Sequence, residues 1–183
     1  ILPVLKNSPH CQLIIPAANR DFVAQRLQID PLVPIGINAG ESFKDGDIEF
    51  HAIPAAHNTL DKNEKGQFLY LGLIIKLGNI VIYHSGDTLY YQGMEEWINP
   101  HKPTIALLPI NGNDPNRKVA GNLNAAEAVS LAKNCHIPVV IPCHYDLFEF
   151  NTADVNIFID AAKKTGQRCC VLELGGKFSS SEF

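Results

Sequence analysis

The sequence predicts a mixed α/β domain built in layers. Two observations carry that expectation. Apolar runs of four to six residues, many rich in Val and Ile, recur along the 183 residues and read as strands. The early runs are joined by tight turns, whereas the later ones alternate with stretches of helical period, an order that stacks helices on a sheet.

Strands are expected at Gln12–Ile15, Ile48–Ile53, Phe68–Leu77, Ile80–Tyr83, Ile105–Pro109, Val139–Pro142 and Cys170–Leu174. Leu77-Gly78-Asn79-Ile80 reads as a two-residue hairpin, because Gly and Asn tolerate positive φ. Asp45-Gly46-Asp47 reads as another turn. Helical spacing over Ala18–Leu27 puts Phe22, Val23 and Leu27 on one face. A short helix is expected around Met94–Ile98. Asn124 with Glu127 three residues on resembles a capping box, followed by the stripe Ala125, Ala128, Val129 and Ala132. Ala153–Lys164 follows Thr152 as N-cap, turns Val155, Ile159 and Ala162 inward and stops at Gly166. A polar stretch, Asn111–Asn122, forms a long loop, and loops of that length are often functional.

The length suits one domain, residues 1–183, and 46% hydrophobic residues suffice for a core. A net charge of −4 with scattered Lys and Arg argues against a nucleic-acid partner. No apolar run nears the roughly 18–20 residues that span a bilayer, and no signal peptide is visible, so a cytoplasmic protein is expected. Five cysteines without a CxxC pair fit reduced thiols better than a disulfide framework. Met94 is the only methionine. The expectation is therefore a chain that begins inside a longer gene product.

Three residues repeat one design. His57 ends Ile53-Pro54-Ala55-Ala56-His57, Asp87 ends Ile80-Val81-Ile82-Tyr83-His84-Ser85-Gly86-Asp87, and His144 ends Val139-Val140-Ile141-Pro142-Cys143-His144. Each follows an apolar strand where the chain turns. Strand ends on a packed sheet hold side chains in fixed positions, as metal ligands require. Imidazole and carboxylate together suit zinc, iron or manganese. Taken singly, His57 and His144 read equally as solvated or structural residues, and Asp87 as an Asx-turn. Their conjunction favours a metal centre. His84 reads as structural. Arg117 and Lys118, in the polar loop, are candidates to receive an anionic group, a solvated pair being the plain alternative. Tyr145 is a candidate hydrogen-bond donor to substrate, or a packing residue.

Pro54-Ala55-Ala56-His57, Tyr83-His84-Ser85-Gly86-Asp87-Thr88 and Val140-Ile141-Pro142-Cys143-His144-Tyr145-Asp146 resemble, in order and spacing, three later motifs of the metallo-β-lactamase superfamily. Glu173-Leu174-Gly175-Gly176-Lys177-Phe178 also fits, so the resemblance runs from about Gln12 to Phe178. It is closest to the branch containing ascorbate-6-phosphate lactonase. The resemblance implies an αββα sandwich with a dinuclear site between two sheets. By it His57 binds one metal, Asp87 bridges both and His144 binds the second, with manganese or zinc as the ions. Asp87 and His144 would also serve the chemistry, in which a metal-bound hydroxide attacks a lactone or ester, a phosphorylated sugar lactone being one anionic small-molecule substrate. The family's leading His-x-His-x-Asp-His motif is absent from this sequence. The N-terminal part of the sandwich is thus expected to be missing, and the 183 residues alone to be inactive. A homo-oligomer is also implied. The competing readings are a phosphodiesterase on the same fold and a non-catalytic remnant or binding module.

Overall fold

The computed structural model describes residues 1–114, 121–146 and 148–179. In chain order these form α1 (Leu2–Asn7), β1 (Ile14–Pro16), a 3₁₀ turn (Ala17–Asn19), α2 (Arg20–Leu27), β2 (Ile35–Ile37), β3 (Ser42–Asp45), β4 (Ile48–Pro54), β5 (Leu71–Leu77) and β6 (Ile80–His84). Then come α3 (Met94–Ile98), a 3₁₀ turn (Asn99–His101), β7 (Ile105–Pro109), α4 (Ala125–Asn134), β8 (Val139–Cys143), α5 (Val155–Thr165) and β9 (Arg168–Cys169).

Strands β3 to β9 make one seven-stranded sheet whose spatial order is their chain order. The first four are antiparallel neighbours, and β6 to β9 run parallel. The change of direction follows from the connections. Two-residue turns return the chain beside itself, as at Gly46 and Gly78, both with positive φ. Crossovers through α3, α4 and α5 keep the later strands parallel. A separate parallel pair, β1–β2, lies outside this sheet. The described residues therefore hold one broad sheet and one narrow pair where the sandwich expectation has two broad sheets.

Period-two alternation gives the broad sheet two apolar faces. Tyr83, Ala106, Leu108 and Val140 point into the main core with Ala128, Val129, Leu131, Ala132, Phe158 and Ala162 from α4 and α5. Ile105, Val139 and Ile141 point the other way, against Ile80, Ile82, Leu107, Leu172 and Phe178. The capping box of α4 forms as expected, with Asn124 Oδ1 accepting from Glu127 N and Glu127 Oε2 accepting from Asn124 N. Gly166 closes α5 in the left-handed conformation.

Several elements depart from the expectation. Strand β3 carries Ser-Phe-Lys-Asp and β2 only three residues, so neither has an apolar run to announce it. The N-cap of α5 is Asp154, whose carboxylate accepts from Asn156 N; Thr152 instead accepts from Asp146 N. In α2 only Ala24 is buried and Phe22 is exposed. The last strand is not Cys170–Leu174. Pairing ends at β9, Cys170 N makes a last bond to Val140 O, and the chain then lays Leu172 and Phe178 on the sheet's second face.

Candidate metal centre

The sheet brings the three sequence-predicted ligands to one edge. Strands β4 and β5 are antiparallel, as are β5 and β6, so β4 and β6 point the same way. Strand β8 joins them in direction through β7. His57, Asp87 and His144 follow β4, β6 and β8, so they leave the same end of the sheet from every second strand.

Each turn is held by the backbone. Ala56 is bonded on both sides: its N–H donates to Thr88 Oγ1 (2.9 Å) and its carbonyl accepts from Leu89 N (2.8 Å). Thr88, fully buried, donates its own proton to Leu89 O. These bonds lock the residue before His57 to the residues after Asp87. Ala55 N donates to Tyr70 O, and the Tyr70 ring lies 5.4 Å from the His57 ring. Gly121, with φ +83°, packs so closely on the His57 backbone that a Cβ there would collide with His57 O. The Asp87 turn needs Gly86 at φ +64°, where a Cβ would meet Leu71 O at 3.1 Å. Gly86 N donates to His84 Nδ1 (3.0 Å), which leaves the His84 proton on Nε2. His144 itself has φ +63° and Asp146 has φ +54°, a conformation rare for side-chain-bearing residues.

Asp87 offers one oxygen to each histidine. Oδ1 lies 3.1 Å from His144 Nε2 and Oδ2 lies 3.9 Å from His57 Nε2. All three side chains are about half open to solvent, as a site that takes ligands requires. The hydrogen bond from His144 holds the Asp87 carboxyl below its usual range, with burial opposing and the charges of His144, His57 and His84 adding. The same bond raises His144 against the effect of burial. His84 keeps an exposed edge, yet desolvation of its ring is the largest influence and lowers its pKa, while Asp87 pulls the other way. Burial pushes the Cys143 thiol up, and Asp87 adds to it, so this neighbour of His144 is held as a thiol.

The donor set matches pairs of ligands. Two atoms bound to one tetrahedral ion at about 2.0–2.1 Å stand about 3.3 Å apart. The 3.1 Å and 3.9 Å separations bracket that value, one for each oxygen of Asp87. Among the described residues, however, no three His, Cys, Asp or Glu side chains gather so as to hold an ion. The residues fit the group as pairs and do not close a site.

The other expected site residues have different fates. Arg117 and Lys118 lie outside the described residues. Tyr145 packs against the main core and donates its only hydroxyl proton to Leu172 O (2.5 Å). Burial raises its pKa, so that proton is committed to the chain itself. Thr88 and Gly121 are the structural contributors that sequence reasoning missed. Thr88 was visible in the Ser-Gly-Asp-Thr turn, but its bond crosses to a segment 32 residues away. Gly121 carries no signal beyond being a glycine in a polar loop.

Comparison with known proteins adds the following. Residues 12–145 match the model of the beta-lactamase superfamily domain. A UPF0173 metal-dependent hydrolase of Myxococcus xanthus is 34% identical over 120 residues, covering 62% of this chain and 40% of the relative. Another of that name, from Pyrococcus furiosus, is 36% identical over 142 residues, covering 76% and 57% respectively. Among solved structures, Igni18, a metallo hydrolase of Ignicoccus hospitalis, superposes with a TM-score of 0.72 at 25% identity, over 96% of this chain and 70% of Igni18. The chain thus spans about half the length of the curated relatives it matches.

Proposed function

The chain belongs to the beta-lactamase superfamily, and from that premise we propose that it is the sheet-edge half of a metal-dependent hydrolase of lactones or esters. One observation carries the reading: Asp87 turns a separate oxygen toward each of His57 and His144, at separations suited to shared ions. The relatives' name, metal-dependent hydrolase, points the same way. His57 and Asp87 Oδ2 would hold one divalent ion, and His144 and Asp87 Oδ1 a second. Manganese and zinc both suit these donors. When bound, such ions polarise the substrate's carbonyl oxygen and make water acidic enough to attack near neutral pH.

The residues of the chain supply placement and proton handling. Thr88 and Gly86 keep the Asp87 carboxylate aimed between the two imidazoles. His84, through Nδ1, steadies the turn that carries it. Hydrolysis adds water across the acyl C–O bond and leaves a carboxylate and an alcohol. In the metal-free chain Asp87 and His144 share a proton between Oδ1 and Nε2, and an ion held there would displace it.

The pairwise fit, with no group of three donors among the described residues, supports a further reading: these 183 residues form one partial domain that holds metal weakly alone. The remaining donors would come from outside them, in a cytoplasmic protein that assembles as a homo-oligomer. Arg117 and Lys118 remain candidates to receive an anionic group such as the phosphate of a sugar lactone.

The test combines metal analysis of the full-length protein with a panel of phosphorylated lactones, neutral aryl esters and bis-phosphodiesters. Lactone or ester hydrolysis that is lost in Asp87→Asn together with bound metal is expected. Metal near zero with no turnover of any class overturns the reading. Hydrolysis confined to the phosphodiesters would move it to that class. For the 183-residue chain alone, calorimetric titration with zinc should show no tight uptake of two ions.

A further inference from the structure

The chain after His144 makes a tight excursion and returns. Asp146, with positive φ, donates its N–H to Thr152 Oγ1 at 2.8 Å, which ties the far end back to the near end. The excursion carries Phe148 and Phe150, 54% and 66% exposed, whose rings stack at 6.1 Å with an interplanar angle of 28°. Asp146, Phe148, Glu149 and Thr152 line a cavity of about 310 Å³. That volume is at the small end of the range for ligand pockets. Chain geometry limits the Asp146 Cα to roughly 7 Å from that of His144, so the cavity opens beside the proposed metal edge.

Two large rings held in water lose the apolar burial that folding normally supplies, about 25 cal/mol per Å². Exposed apolar patches of this kind mark places that receive something. Position says what. The rings follow within six residues of His144, which is proposed to hold metal, so their occupant is taken to be part of the molecule undergoing reaction. Charge narrows it further. Among the described residues, the polar members of the lining are Asp146, Glu149 and Thr152, with no cation. Two carboxylates in a small cavity repel an anion.

We propose that Phe148 and Phe150 are specificity-determining residues that receive an uncharged aryl or alkyl group of the substrate, while Asp146 and Glu149 reject anionic groups at that position. The inference rests on the hydrolase reading for its assignment to substrate. It deepens that reading by naming an ester or lactone that carries a neutral, apolar group at this position as the preferred class.

The test measures binding, so that it is independent of turnover. Acetophenone and benzoate have similar size and shape; the first is neutral and has no bond to hydrolyse, and the second is an anion. In the full-length protein, acetophenone titrated against amide resonances should shift Phe148, Glu149 and Thr152 saturably, and benzoate should not. Phe148→Ala and Phe150→Ala, both at exposed positions where folding is not at risk, should each weaken acetophenone at least about threefold, the scale of one lost ring contact. Glu149→Gln should let benzoate in. Equal binding of the two probes, no saturable shift at these residues, or indifference to both Phe variants overturns the inference. Loss of turnover with these shifts intact would count against the hydrolase reading alone.

Discussion

The two ends of this chain are packed very differently. From β4 onward, the strands bury Ile53, Ile74, Tyr83, Leu108 and Val140 against α4 and α5, and Phe158 is fully enclosed. Before β3, α2 buries only Ala24, the β1–β2 pair is three residues long, and Leu32 (85% exposed) and Phe22 (67%) face outward. All three candidate ligands hang from the packed half. A centre that must hold donor atoms to fractions of an ångström belongs on such a scaffold. The thin N-terminal part adds no candidate ligand.

This contrast can be broken by substitution. The largest effect is expected at Phe158→Ala, which should cost about 3–5 kcal/mol in urea denaturation. Leu32→Ala should stay within roughly 0.5 kcal/mol. Equal effects would mean that the two ends are not energetically distinct. Thr88→Val keeps the shape but leaves Ala56 N buried without its acceptor, a loss of about 1–3 kcal/mol. Gly121→Ala drives a methyl group into the His57 carbonyl. It should weaken metal binding by the full-length protein about 10–100-fold, as supporting residues around metal ligands do. Unchanged affinity would detach that loop from the site.

A small effect is expected on pH dependence in the metal-free chain. His144 is raised above 6.5 by Asp87, so its contribution is complete below 6.5 and fades as pH climbs through the raised value. Asp87 is lowered below 3.8, so its contribution is present above 3.8 and is lost as pH falls through the lowered value. The pair therefore helps most between those limits. With chelator present, the Tm difference between the chain and its His144→Gln variant should be larger at pH 5.5 than at pH 8.5. Both side chains are half exposed, so the effect should be under about 1 kcal/mol.

The layered α/β class was legible because apolar runs of strand length state their own burial, and α4 was legible to its capping box because a cap is a contact over three residues. His57, Asp87 and His144 were legible as ligand candidates because each ends an apolar strand at a turn. Strands β2 and β3 were not, since β2 is only Ile-Gly-Ile and β3 is polar, and strands so short are made by their neighbours. Nor was the start of α5, where Asp154 rather than Thr152 is the cap because Thr152 is taken by Asp146.

Sequence alone therefore determined the element types, the strand-end motifs and the superfamily resemblance, all of which are written in periods and spacings of a few residues. Tertiary structure decided that β4, β6 and β8 point the same way, that Asp87 divides its oxygens between two histidines, that Thr88 and Gly121 support His57, and that Phe148 stacks on Phe150 in the open. The physical reason is range. Periodicity reports what one segment buries, whereas strand direction, close approach and exposure depend on which distant segment lies alongside.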